Sequence, residues 1–324
     1  MSTPGIMMQR AFRQVDVFTD VPYFGNPLAV VLDGSGLNDT AMQRFARWTN
    51  LSETAFLLPP IDPSADYRVR IFTPGGELPF AGHPTLGSCH CWLQAGGQPR
   101  RKDLIVQECQ IGLVKIRRDP ATPTLAFAAP PLLRSEPSLA LLTQVAAALG
   151  LRAKQMLAAQ VLDSGPVWLG LLLDSPETVL QLNPDHLALE KLNMKVGIAG
   201  LYGGIEAHTR QLTPLLIARA NREARAFSHT VPAVIAAAPM SARPDLEVRA
   251  FAASAGIFED PVTGSLNASL AQWLMADGLI PDRYLASQGV CMDREGRVHV
   301  SRDAAGQVWV GGDAVTCING SVTL

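Results

Sequence analysis

Three titratable side chains stand where a proton could be taken from a small molecule and given back: Glu53, His83 and Asp260. His83 and Asp260 open two similar phrases, His83-Pro84-Thr85-Leu86-Gly87-Ser88 and Asp260-Pro261-Val262-Thr263-Gly264-Ser265. Each phrase follows an Arg-x-Phe stretch (Arg70-Ile71-Phe72, Arg249-Ala250-Phe251) and a nearby Phe (Phe80, Phe258). Each then runs into an apolar segment that ends near a Trp, Trp92 or Trp273. The recurrence predicts a duplicated lobe, with His83 and Asp260 at matching positions on either side of a central cleft. Glu53 lies in Asn50-Leu51-Ser52-Glu53-Thr54-Ala55-Phe56, between a helical pattern and an apolar strand. If it faces the cleft, partial burial raises its pKa toward neutrality and lets it pass a proton on and off carbon. A nearby Asp260 would raise a carboxyl pKa further through like charge.

The same segments offer anion binding. A helix start leaves backbone N–H groups without intrahelical acceptors, and the macrodipole favours negative charge there. Gly82-His83 and Thr263-Gly264-Ser265 precede two predicted helices, and small residues let a ligand approach the backbone closely. If both helices point into one cleft, their starts form paired sites for a carboxylate or enolate. The plainer alternative is that these are ordinary strand-to-helix turns, capped by Asp or Thr with Pro opening the helix. For Glu53 the plainer alternative is a carboxylate at a strand edge with no role.

The elements that must position these residues follow from periodicity. In the first lobe, strands are predicted around Val15 and Val17 and over Leu28 to Leu32, separated by turn residues Asp20 to Pro27. Leu37, Ala41, Phe45 and Trp48 recur at helical spacing behind the cap residues Asn38 and Asp39, so a helix runs to about Thr49. Further strands are expected at Thr54 to Leu58, Tyr67 to Phe72, Leu104 to Val106 and Leu113 to Ile116. A helix is expected from Pro84 or Thr85 to about Ala95, ended by Gly96-Gly97. Proline density between Asp119 and Pro137 marks a linker.

The second lobe repeats the order. After a helix at Leu139 to Leu149, the strand Val167 to Leu173 matches Ala29 to Leu32, and a helix at His186 to Leu192 matches the one ending at Thr49. Leu212 to Phe227 reads as an added helix. Strands at Ala233 to Ala237 and Leu246 to Phe251 lead to a helix at Ser265 to Met275, ended by Gly278. The tail from Val298 alternates apolar and polar residues, with hairpin signals at Gly306, Gly311-Gly312 and Gly320. The resulting division is a lobe over 1–118, a linker over 119–137, a lobe over 138–310, and terminal strands over 311–324 returning to the first lobe.

Composition sets the outer limits. The chain has 324 residues, of which 48% are hydrophobic and 17% charged, with a formal net charge of -2. That supports two ordinary cores and gives none of the basic footprint of a nucleic-acid binder. The cluster Arg100-Arg101-Lys102 reads as a solvated loop. Five cysteines without framework spacing suggest a reducing, cytoplasmic setting. Cys89 and Cys91 on one helix point to different sides and so do not converge on a metal; they read as buried thiols. Met1 to Gln14 lack a signal-peptide layout, and no stretch approaches the roughly 20 apolar residues of a membrane span. No GxGxxG follows a strand and no phosphate loop of the GxxxxGK[ST] type occurs, so a nucleotide cofactor has no support in the sequence, and Ser265 lacks a GxSxG elbow, which disfavours hydrolase chemistry.

Taken in order, Gly25-Asn26-Pro27 with Ala29-Val30, Asn50 to Thr54, Arg70 to Thr73, Phe80-Ala81-Gly82-His83-Pro84-Thr85 and Glu259 to Ser265 resemble the signatures of the phenazine biosynthesis PhzF-like family. The resemblance spans almost the whole chain. It implies an α+β, diaminopimelate-epimerase-like fold of two pseudo-symmetric lobes, each a curved, mostly antiparallel sheet or barrel around a central helix. It also implies a cofactor-free isomerase similar to trans-2,3-dihydro-3-hydroxyanthranilate isomerase, acting by general acid-base catalysis on a small amino- or hydroxy-carboxylic acid. By motif match the family's proton-moving glutamate is Glu53, its accompanying histidine and aspartate are His83 and Asp260, and its carboxylate contacts fall on Ser52, Gly82, Gly264 and Ser265. A homodimer is the family-level expectation. The chain departs from the pattern at Ala253, where a Pro is usual, and after Gln288-Gly289. Alternatives are a racemase or epimerase, which in this fold uses paired cysteines at the helix starts, or a non-catalytic carboxylate-binding protein.

Overall fold

Residues 8–118, 124–204 and 243–324 are described by a computed structural model. The first seven residues, Pro120 and Pro123 of the linker, the helix expected at Leu212 to Phe227 and the strand expected at Ala233 to Ala237 lie outside the described residues.

The first lobe begins with strand β1 (Gln9–Val17), which pairs antiparallel with β2 (Asn26–Val31). Helix α1 (Asp39–Thr49) then crosses over the sheet, so β3 (Glu53–Leu58) returns parallel to β2, as a crossover connection requires. Asn38 caps α1 by accepting the Ala41 N–H at 2.9 Å. Asn50, in the left-handed region at φ 54°, ends the helix and turns the chain toward Glu53. Strands β4 (Tyr67–Phe72), β5 (Glu77–Leu78), β6 (Leu104–Cys109), β7 (Gly112–Arg118) and β8 (Leu125–Ala128) complete the wall around helix α2 (Gly82–Gln94). A helix apolar on all sides must be buried on all sides. From Gly82 to Cys89 every residue of α2 is buried, whereas α1 covers the sheet's outer face with Met42, Phe45 and Ala46.

The second lobe contains β9 (Leu133–Ser135), α3 (Leu139–Leu149), β10 (Met156–Asp163), β11 (Val167–Leu173), α4 (Pro176–Gln181), α5 (His186–Lys191), β12 (Lys195–Leu201), β13 (Leu246–Ala252) and β14 (Ile257–Asp260). Its central helix is α6 (Gly264–Ala276), followed by β15 (Arg283–Gln288), β16 (Gly296–Arg302) and β17 (Val308–Gly312). Parallel pairing of β11 with β12 repeats that of β2 with β3. The inner core is continuous through both lobes, while α3, α4 and α5 cover the outer face of the second. Strand β8 pairs with β7 on one side and β17 on the other, and β9 pairs with β10. The last strand, β18 (Ala314–Thr323), runs antiparallel to β1 from Val17↔Ala314 to Gln9↔Thr323. Gly320 therefore sits within a strand, where a hairpin turn was expected; only Gly306, at φ 85°, serves a turn between β16 and β17.

The structural repeat has a different phase from the one expected from the two phrases. Helix α2 starts at Gly82 and α6 at Gly264, so His83 corresponds to Ser265, and Asp260, at the end of β14, corresponds to Leu78. The register agrees, because Ile71 faces Leu78 as Ala250 faces Asp260. Gly87-Ser88 lies in the body of α2 and is not the counterpart of Gly264-Ser265. The phrases look alike because His-Pro and Asp-Pro both suit the approach to a helix, and that local likeness does not fix the alignment.

What truly repeats is an ion pair. Arg70 grips Glu77 through Nε and Nη2, both at 2.7 Å, and Arg249 grips Glu259 in the same way at 2.9 and 2.8 Å. Each guanidinium also lies over the Phe two residues on, at 5.1 Å from the Phe72 centroid and 5.0 Å from that of Phe251. These forks fasten the β4–β5 and β13–β14 hairpins from which the chain enters each central helix. The Arg-x-Phe stretches thus build the scaffold that aims both helix starts.

Candidate active site

The starts of α2 and α6 meet between the lobes. A Cβ added to Gly82 would lie 2.9 Å from the Gly264 Cα, and one added to Gly264 would lie 3.0 Å from the Gly82 Cα. Glycine at both positions is what allows the two backbones to approach. The other α-helices among the described residues are capped by a side chain: Asn38, Ser138, Ser175 and Asp185. Ala81 and Thr263, at the starts of α2 and α6, give no such hydrogen bond. The capped-turn alternative therefore fails for both central helices. Their first N–H groups are left for another acceptor, and two positive helix ends face one small region.

Glu53 is the first residue of β3, delivered there by the Asn50 turn. Its Oε2 lies 3.3 Å from His83 Nε2, with the two side chains 12% and 5% exposed. Neither atom has a hydrogen-bond partner. Burial pushes the Glu53 carboxyl up to about 7, against the opposing effects of the Ser52 hydroxyl and the positive charge of Lys195. Burial pushes His83 down to about 4, against the negative charge of Asp260. His83 is therefore a neutral imidazole at neutral pH.

Asn26 links the three groups. Its buried Nδ2 donates at 2.9 Å to Asp260 Oδ1 and to the Val262 carbonyl, and it lies 3.3 Å from His83 Nδ1. Flipping the amide would set its oxygen against two other oxygens, so the nitrogen must face this side. The two amide hydrogens go to Asp260 and Val262, and an amide nitrogen does not accept, so a proton on His83 Nδ1 would face a nitrogen that cannot receive it; the ring proton is therefore assigned to Nε2, on the side of Glu53. Ser52 Oγ donates to Asn26 Oδ1 over 3.4 Å.

Asp260 is held from its other side as well. Thr263 Oγ1 donates to Asp260 Oδ2 at 2.5 Å, and buried Gln288 donates to the Asp260 carbonyl and to Thr263 Oγ1, each at 3.0 Å. The Gln288 carbonyl accepts the Thr263 N–H at 3.0 Å and Asn267 Nδ2 at 2.9 Å. Burial raises the Asp260 carboxyl to about 6, with the Glu53 charge adding to the rise and His83, Thr263 and Asn26 opposing it. Two carboxyls with raised pKa values and a neutral imidazole form a set suited to holding and relaying protons.

Of the residues singled out from sequence, Glu53, His83 and Asp260 converge, with Gly82 and Gly264 in contact beside them. Ser52 and Ser265 are half-buried at the edge of this group. Sequence reading gave Asn26 and Gln288 no side-chain role and took Thr263 only as part of a helix start or as its cap, whereas its hydroxyl goes to Asp260. Asn26 was visible in the signature Gly25-Asn26-Pro27 and in the turn before β2, but with no task for its side chain. The first turns of the two central helices hold no cysteine; Cys89 and Cys91 are buried deeper in α2, where burial pushes both thiols up to about 12. No helix among the described residues is long and apolar enough to cross a membrane.

Comparison with known proteins places this geometry in context. The family model described as phenazine biosynthesis-like protein matches residues 15–320. Antisense-enhancing sequence 1 of Schizosaccharomyces pombe is 31% identical over 329 residues, covering 97% of this chain and 99% of that protein. The trans-2,3-dihydro-3-hydroxyanthranilate isomerase of Pseudomonas aeruginosa is 30% identical over 298 residues, 90% of each chain. Among solved structures, a PhzF-family phenazine biosynthesis protein from Bacillus anthracis gives a TM-score of 0.75 at 21% identity, covering 98% of this chain and 100% of that one.

Proposed function

The chain belongs to the phenazine biosynthesis-like protein family, and from that premise we propose that it moves a proton on a small amino- or hydroxy-carboxylic acid with Glu53 as the shuttling group. The protein is an isomerase with the two-lobed α+β, diaminopimelate-epimerase-like fold. Its substrate resembles trans-2,3-dihydro-3-hydroxyanthranilate in carrying a carboxylate beside an amino or hydroxyl group. That carboxylate is held by the free N–H groups of Gly82, His83, Gly264 and Ser265, with Ser52 nearby. The Glu53 carboxylate removes a proton from one carbon as the double bond shifts, and returns it to another carbon, so substrate and product have the same atoms. His83 carries a fixed proton toward Glu53, and Asp260 orients the amino or hydroxyl group. Burial keeps water from exchanging with the proton in transit.

One observation carries this reading. Glu53 Oε2 and His83 Nε2 are buried, face each other at 3.3 Å and lack hydrogen-bond partners, as groups awaiting a substrate do. The absence of cysteine from both helix starts leaves the paired-thiol racemase without support. The test is solvent deuterium incorporation into trans-2,3-dihydro-3-hydroxyanthranilate and related small acids. Wild type incorporates label; Glu53→Gln loses incorporation while still gaining thermal stability from the same acid. Label uptake persisting in Glu53→Gln would overturn the role of Glu53.

Five free cysteines support a cytoplasmic location. The open outer edge of β18, which among the described strands pairs only with β1, and exposed Trp48 and Ile318 nearby support a homodimer. Of the expected terminal segment 311–324, the pairing of β18 with β1 supports assigning 314–323 to the first lobe, while Gly311 and Gly312 end β17 of the second; within the expected linker 119–137, β8 joins the first lobe and β9 the second.

A further inference from the structure

Across the pseudo-twofold axis the counterpart of Glu53 is Lys195. Each opens the second strand of a parallel pair: Leu28 faces Glu53 across β2 and β3, and Trp168 faces Lys195 across β11 and β12. Side chains alternate along a strand, so Lys195 shares the inner face of β12 with Gly197, Ala199 and Leu201. Ala199 and Leu201 belong to the inner core, and a Cβ at Gly197 would meet Leu266 Cδ1, in the first turn of α6, at 2.1 Å. Lys195 lies about 6.6 Å further toward the strand start, the position from which Glu53 enters the cleft in the other lobe. Its charge reaches Glu53, where it favours the ionised carboxylate.

Among the described residues no acceptor pairs with either donor. Lys195 is half-buried and has no ion-pair partner among the described residues; its Nζ lies 5.7 Å from the centroid of the Trp168 ring. Trp168 is 3% exposed, yet its indole N–H has no acceptor. A buried indole N–H ordinarily finds one. At the matching places the first lobe has aliphatic Leu28 and acidic Glu53, so this pair of donors belongs to the second lobe alone.

We propose that Lys195 and the Trp168 indole N–H form a second anion subsite, and that the substrate carries a second carboxylate in addition to the one held at the helix starts. This rests on the isomerase reading above and narrows its substrate class to dicarboxylic acids. The helix starts take one carboxylate, the reacting carbons lie at Glu53, and the second carboxylate reaches across to Lys195.

The test measures binding of matched pairs by titration calorimetry: benzoate against the three benzenedicarboxylates, and butyrate against succinate and glutarate. Wild type should bind at least one dicarboxylate about tenfold or more tightly than its monocarboxylate. The preference should shrink to about twofold or less in Lys195→Met, be partly lost in Trp168→Phe, and survive in Lys195→Arg and Glu53→Gln, with the surviving variants showing that the fold is intact. Equal binding of each pair by wild type, or an undiminished preference in Lys195→Met, overturns the proposal. If the preference follows Lys195 but deuterium exchange persists in Glu53→Gln, the subsite stands and the shuttle role of Glu53 falls. If neither acid of any pair binds wild type, the carboxylate reading of the helix starts falls and the subsite falls with it.

Discussion

Thr263 directs its hydroxyl to Asp260, 2.5 Å away, instead of capping the helix it precedes. One contact therefore does two things: it fixes an acid-base carboxyl and leaves the start of α6 open to an anion. Gln288 keeps Thr263 in this arrangement from both its amide and its hydroxyl.

Replacing Gln288 with Leu removes partners from the Thr263 N–H, the Asp260 carbonyl and Asn267 at once, in a site that water does not reach. Leaving such groups unpaired costs about 3 kcal/mol in total, measurable by denaturant unfolding. Thr263→Val should be milder in stability and raise the Asp260 pKa further, because the hydroxyl favours the ionised form. A carboxyl titration by NMR that left Asp260 unmoved in Thr263→Val would contradict this.

The contact between Gly82 and Gly264 makes a sharper demand. Alanine at either place brings a methyl group to about 3 Å of the opposite backbone, where no flexible side chain can yield. Each substitution should destabilise the protein by roughly 1–3 kcal/mol and lower carboxylate affinity, because the helix starts are forced apart. Unchanged affinity in a folded Gly264→Ala variant would show that the close approach does not serve binding.

The repeated Arg forks differ in burial and so should differ in strength. Arg249 and Glu259 are 5% and 12% exposed, and Arg249 also donates to the Val179 and Leu182 carbonyls. Arg70 and Glu77 are 24% and 29% exposed. Arg249→Met strands a buried carboxylate and should cost about 3 kcal/mol or more. Arg70→Met should cost about 1 kcal/mol or less. Equal losses in urea unfolding would mean that the forks' local geometry matters more than their solvation.

Local signals made much of this legible from sequence. Asn38 capped the helix it was expected to cap, the glycines after both central helices ended them, and the strand pattern around Glu53 held. What sequence could not supply were contacts between distant segments. Asn26 acquires its meaning only by meeting Asp260 and Val262 from the other lobe. The repeat was seen but aligned out of phase, because a helix approach written His-Pro or Asp-Pro is locally persuasive. The correct phase depends on hairpin register, Ile71↔Leu78 against Ala250↔Asp260, which requires the paired strands. Lys195 stayed hidden because its match to Glu53 rests on the parallel registers Leu28↔Glu53 and Trp168↔Lys195, which appear only once the strands are paired.

The raised pKa of Glu53 has a signed consequence for both stability and rate. Its carboxyl moves from 4.5 to about 7 on folding, mainly by burial. Below pH 4.5 both states are protonated and no penalty exists. As pH rises from 4.5 to about 7 the unfolded chain ionises first, so wild type loses stability across that window and then levels off. Glu53→Gln, which cannot ionise, should match wild type near pH 4 and exceed it by roughly 3 kcal/mol above pH 7; relief of Asp260 from a like charge acts in the same direction. The general base, by contrast, needs the ionised form, so kcat/KM should rise with pH through about 7. Lys195 favours that ionised form, so Lys195→Met should shift the rising limb to higher pH and Lys195→Arg should not. Unfolding free energies and pH–rate profiles on these variants check both signs, and a stability gap between Glu53→Gln and wild type that narrows as pH rises would refute the buried-acid assignment.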